Sequence, residues 1–96
     1  MRILWSDLAF ESIIEIIAYY ELEVDEEFAD SVEADIVSQI AQMVHFPRSI
    51  PETDAFPDAR KLVIKRLPYV AFLRIRGDVL EVIDVVHTSR RLPKNS

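Results

Sequence analysis

The apolar residues of this chain repeat with one period up to a cluster of three prolines and with another beyond it. From Ala9 to Val44 they recur three and four residues apart; from Arg60 to His87 they alternate, and Pro47, Pro51 and Pro57 stand between the two regions. A helical spacing cannot serve as a strand spacing within one element, so a helical half and a sheet half must be joined by a stiff segment. With 96 residues there is material for one core only, which the two halves have to share. A single domain over residues 1–96 is expected, with a loosely ordered tail from about residue 90.

Arg2 to Trp5 reads as a short strand. Ser6 and Asp7 suit a helix N-cap and first turn, and Ala9, Ile13, Ile16, Ile17 and Tyr20 then make one apolar stripe, so a helix is predicted to about Leu22. Asp25, Glu26 and Glu27 open a second acidic helix start, which Phe28, Val32, Ile36, Ile40, Met43 and Val44 continue until Phe46-Pro47 ends it. The segment from Pro47 to Ala59 is predicted as a loop without regular structure. Strands are predicted at Arg60–Arg66, Tyr69–Arg76 and Val79–His87, the last two joined by a two-residue turn in which Gly77 supplies a positive φ. The order β-α-α-β-β-β defines an α+β fold, a small antiparallel sheet packed against an N-terminal helical hairpin.

Cysteine is absent, which excludes disulfides, thiolate metal sites and a cysteine nucleophile. One glycine cannot build a phosphate-binding loop, so no nucleotide cofactor is expected, nor any other. Asp7, Glu11 and Glu15 interrupt the apolar N-terminal stretch, which predicts a cytosolic (cytoplasmic) protein with neither signal peptide nor membrane span. His45 and His87 lack metal-ligand spacing. His45 reads as a complement to a helix end, and His87 as a group fixing the exit from the last strand. Ser89 has a histidine near it but no third triad member, and Trp5, Tyr19 and Tyr20 read as core residues.

The net charge of −6 conceals a division along the chain. Residues 1–58 carry fourteen acidic side chains and two basic ones, a balance of −12, whereas residues 59–96 carry nine basic and three acidic, a balance of +6. Either the halves neutralise each other where helices meet sheet, or the second half offers an anionic partner a basic surface. Lys61 and Lys65 fall on one face of the first long strand, and Arg74 and Arg76 share one side of the next.

The run Arg60–Pro93 resembles the ParE branch of the RelE/ParE toxin superfamily. It shows that branch's Arg-x-Leu strand (Arg60, Leu62), Pro-Tyr strand entry (Pro68, Tyr69), Gly-containing hairpin (Gly77) and His-x-x-Arg close before a proline (His87, Arg90, Pro93). The first half agrees in architecture. The resemblance implies the toxin of a type II toxin–antitoxin pair, cytoplasmic, forming a hetero-oligomer with a ParD-like antitoxin and acting by protein contact, without direct nucleic-acid binding. DNA gyrase is the implied target. RelE-like nucleases place an arginine after the tyrosine that enters the middle strand, and tend to carry a tyrosine near the C-terminus; here the first position is Val70, and no tyrosine follows Tyr69. The alternatives are a ribosome-dependent mRNA nuclease and an inactive homologue that only binds antitoxin. Antitoxin contacts are expected at Lys61, Lys65, Arg74 and Arg76, and target contacts at His87, Arg90, Arg91 and Lys94.

Overall fold

A computed structural model describes residues 1–89. Strand β1 (Arg2–Trp5) leads into helix α1 (Asp7–Glu23) and helix α2 (Glu26–Gln42). Two 3-10 turns, Met43–His45 and Pro47–Ser49, then precede strands β2 (Glu52–Thr53), β3 (Ala59–Val63), β4 (Tyr69–Arg76) and β5 (Val79–His87). Both helices start where the acidic and hydroxyl caps predict. Ser6 Oγ accepts the Ala9 N–H at 3.0 Å and donates to the Ile83 carbonyl at 2.7 Å, so one side chain caps α1 and ties it to β5. Asp25 accepts the Phe28 N–H at 2.8 Å at the head of α2.

The expected α+β arrangement is the one adopted, with the helical hairpin on one face of the sheet. The strands lie in the order β1-β5-β4-β3-β2. Pairing is antiparallel except between β1 and β5, where Ile3 lies beside Leu80 and Trp5 beside Val82 in parallel. The sheet is therefore mixed, and the two helices and three strands that separate β1 from β5 supply the long connection that a parallel pair requires. Gly77, at φ 58°, makes the two-residue turn between Arg76 and Val79.

Apolar layers form on both sheet faces. Against the helices, Ala9, Ile13, Ile16, Val32, Ile36 and Ile40 pack on Ala71, Leu73, Leu80, Val82 and Val85. Each fully buried aliphatic side chain there contributes about 1.5–3 kcal/mol. On the opposite face Ala59, Val70, Phe72, Ile83 and Val86 form a second cluster, which Ala55 and Phe56 of the proline-rich segment partly cover. The Phe56 and Phe72 rings meet edge to face at 5.2 Å. That segment is thus more than a connector: besides β2 it supplies part of a second core.

Three details depart from the sequence reading, each with a visible cause. The strand expected over Arg60–Arg66 stops at Val63, because Gln39 of α2 accepts the Lys65 N–H at 2.7 Å and donates to the Lys65 carbonyl at 3.0 Å. This pulls the backbone out of the sheet into a turn, with Arg66 at φ 70°. Phe28 is 42% exposed instead of lying in the core stripe, its ring leaning on Tyr20 at 5.5 Å. In β5, Phe72 pairs with Asp84 and Leu73 with Val82, so Ile83 is the extra residue of a β-bulge. Buried Asp84 accepts the Ser12 hydroxyl at 2.6 Å and the Val85 N–H at 2.8 Å.

Candidate functional site

The register of β3 and β4 sets Lys61 opposite Phe72, and alternation carries Arg74 and Arg76 to the same open face of the sheet, away from the helices. Lys65 does not join them. It sits in the turn that Gln39 holds against α2, so the expected four-residue basic rim is brought together at three positions only. Arg74 and Arg76 both reach Glu81, through Nε at 3.1 and 3.4 Å. Arg74 also donates to the Pro57 carbonyl at 3.1 Å and is only 20% exposed, which makes it a strut for the covering segment. Arg76, at 64% exposed, remains available to a partner.

The ion pairs of the described residues bear on the two explanations of the charge division. Among the described residues, Arg66–Asp35 is the one pair joining a sheet-half cation to a helix carboxylate, at 3.3 Å. Arg60–Glu52 crosses the halves within the strands and their connecting segment. The helix-to-sheet interface is built of apolar side chains, and among the described residues no other helix carboxylate pairs with a sheet-half cation.

Arg60 uses its guanidinium locally. Nη1 donates to the Ile50 carbonyl at 2.8 Å and the Arg48 carbonyl at 3.2 Å, and Nη2 lies 3.4 Å from Glu52. An arginine at the start of β3 thus fixes the path of the segment that covers the open face, where Leu62 two residues on faces the helices.

At the other end of the sheet, His87 lies opposite Tyr69, with ring centroids 5.4 Å apart. The Ser89 N–H donates to His87 Nδ1 at 3.1 Å, which makes that nitrogen an acceptor; the Ser89 hydroxyl, 2.7 Å away, donates to it as well. No carboxylate orients the imidazole among the described residues, so the pair caps the strand exit, closed also by the Thr88 N–H to Pro68 carbonyl bond at 2.8 Å. The other residues expected at a target contact, Arg90, Arg91 and Lys94, lie outside the described residues, as does the expected loose tail.

A groove of about 540 Å³ opens beside this exit, between α1 and the ends of β4 and β5. Glu15, Tyr19, Tyr20, Tyr69, His87 and Ser89 line it. Sequence reading assigned Tyr19 to the core, yet it is 55% exposed. The signal was present: Tyr19 falls about 100° round the helix from the stripe through Ala9, Ile13 and Tyr20. Among the described residues no group of three or more His, Cys, Asp or Glu side chains could hold a metal ion. No helix among them is long and apolar enough to cross a membrane.

Comparison with solved structures supports the fold. A chain of the chromosomal ParDE TA system from P. aeruginosa matches with a TM-score of 0.82 at 22% identity, over 93% of this chain and 97% of that one. Among curated proteins none matches significantly. The family model described as ParE toxin of type II toxin-antitoxin system, parDE, matches residues 3–92, which takes in all of the described strands but Arg2 of β1, both helices and the His87 exit. The chain, with its helical hairpin and His-closed sheet, therefore belongs to the ParE toxin family of type II toxin–antitoxin systems.

Proposed function

We propose that the protein acts by stoichiometric binding to DNA gyrase and that a ParD-like antitoxin neutralises it. Val70 carries this reading. It occupies the position where RelE-like nucleases place an arginine, and here it is 5% exposed, packed with Phe72 and Val86 in the open-face cluster. An apolar side chain there can neither donate to a crowded phosphate nor activate a 2′-hydroxyl, and losing one such contact costs a nuclease about two to three orders of magnitude. Target contact is assigned to the His87 end with Arg90, Arg91 and Lys94, and antitoxin contact to the basic side chains of the sheet. Gyrase supercoiling should fall in proportion to toxin added and level off near equivalence, while mapped mRNA ends from expressing cells stay unchanged. Codon-phased cuts in translated messages with supercoiling unaffected would overturn the proposal in favour of the nuclease.

Antitoxin binding gives a second expected result. A ParD-like partner that docks an acidic segment on the open face is steered by Lys61 and Arg76, with Lys65 added as the cation of the turn that follows β3; Arg74 is excluded from the test because it holds the Pro57 carbonyl. Replacing the three by alanine should slow association about tenfold at low salt and flatten its salt dependence, with dissociation little changed. Association kinetics equal to those of the unmodified toxin at low and high salt alike would place the antitoxin elsewhere.

A further inference from the structure

We infer that the tyrosine-lined groove beside α1 receives a cationic side chain, an arginine or lysine, carried by a partner polypeptide. The inference rests on the reading of this protein as one that works by binding other proteins, and it names the chemistry recognised at the His87 end. Four observations converge on it. The groove is walled by Tyr19, Tyr20 and Tyr69, with Tyr19 and Tyr20 edge to face at 5.0 Å and the Tyr20 and Tyr69 hydroxyls 3.4 Å apart. Electron-rich rings grouped round a cavity of about 540 Å³ attract a cation through their quadrupoles, most strongly when the cation is partly desolvated. Glu15 lines the same groove and makes no ion pair among the described residues, so a carboxylate is ready to meet the incoming charge.

Among the described residues the surrounding field has the matching sign. Tyr19 and Tyr20 sit near the C-terminal end of α1, whose last turn contains no basic residue and whose carbonyl ends carry partial negative charge. Among the described residues no lysine or arginine lines the groove, and Nδ1 of His87 already faces the Ser89 N–H and hydroxyl. A second copy that presents the same face is a poor occupant by the same criterion, since residues 1–58 balance to −12 and two such faces repel. Leu22, 85% exposed one helical turn beyond Tyr19, offers an apolar neighbour for the residue flanking the partner's cation.

The test uses the full chain and a defined probe, acetyl-leucyl-arginyl-leucine amide, followed by two-dimensional amide NMR. A control peptide replaces arginine with citrulline, which keeps the shape and loses the charge. The arginine peptide should shift amides around Glu15, Tyr19, Tyr69 and His87 and bind at least about tenfold more tightly than the citrulline peptide. Glu15→Gln and Tyr19→Ala, both at exposed helix positions, should each weaken it about three- to tenfold with the far-ultraviolet dichroism unchanged. Equal affinity for the two peptides, or shifts confined to other surfaces, would overturn the assignment. Binding that emerges only after Arg90→Gln and Arg91→Gln would overturn the partner reading, because the chain's own arginines would then be the occupants. Neither antitoxin nor gyrase enters the measurement, so its failure leaves the toxin reading standing.

Discussion

Replacing Phe72 by alanine is expected to cost about 3–5 kcal/mol of folding stability, the largest effect of any single substitution considered for this chain. The ring is fully buried in the middle of β4, on the sheet face away from the helices. Among the described residues a short segment carrying Ala55 and Phe56 lies over it there, and the facing ring of Phe56 is half-buried. A small domain has about 5–15 kcal/mol in all, so the variant should unfold at a much lower urea concentration or fail to accumulate. Phe56→Ala should cost less, about 1–3 kcal/mol, because that ring keeps more of its solvent contact when folded. The double variant should show coupling of about 0.5–1.5 kcal/mol, the part belonging to the edge-to-face pair. A Phe72→Ala loss under about 1 kcal/mol would mean that the open face is not a second core.

Arg60→Met is the next largest, at about 2–3 kcal/mol. Methionine preserves the apolar stem and removes the guanidinium, whose bonds to the Ile50 and Arg48 carbonyls are charge-assisted and whose side chain is 15% exposed. Glu52 adds little to this because its own side chain is 81% exposed, and Glu52→Ala should cost no more than about 0.5 kcal/mol. Loss of the arginine should free Pro51 to Thr53 from β3. Amide exchange at Thr53 and at Lys61, whose N–H is bonded to the Pro51 carbonyl at 2.9 Å, should then quicken. Arg60→Lys should not restore it, since a single ammonium lacks the fork that reaches two carbonyls at once. Unchanged exchange at both amides in Arg60→Met would show that the proline-rich segment is held by its aromatic cover alone.

What could be read from the sequence follows from how local each cause is. Ser6 and Asp25 cap helices through bonds to residues three positions on, and Gly77 makes its turn with its immediate neighbours, so all three boundaries are written in a few adjacent letters. The end of β3 is set by Gln39, twenty-six residues away, and alternation past Val63 gives no sign of it. The second core was hidden for a similar reason. Phe56 sits among three prolines, where no periodicity shows which face it will cover. The basic residues were identified as a group, but their separation into strut, exposed cation and turn depends on Glu81, the Pro57 carbonyl and Gln39. Tyr19 was misassigned because a tyrosine beside an apolar stripe looks the same whether it closes a core or lines a groove.

The parallel pairing of β1 with β5 also sets an order of events during synthesis. Arg2 to Trp5 are made well before their partners, Val79 to Val82, and the Ser6 hydroxyl waits for the Ile83 carbonyl, 77 positions later. At about 5–20 residues per second, the first strand spends roughly 4–15 s without the neighbour that completes it. The helical hairpin can form from local contacts in that interval, whereas its apolar floor, Leu80, Val82 and Val85, has yet to be made. Any message that stops before the β4–β5 hairpin yields a chain with an unpaired edge at its start and an uncovered stripe on its helices. The assembled sheet and the His87 exit thus come into being together, once the β4–β5 hairpin has been made, and not as a gradual accumulation.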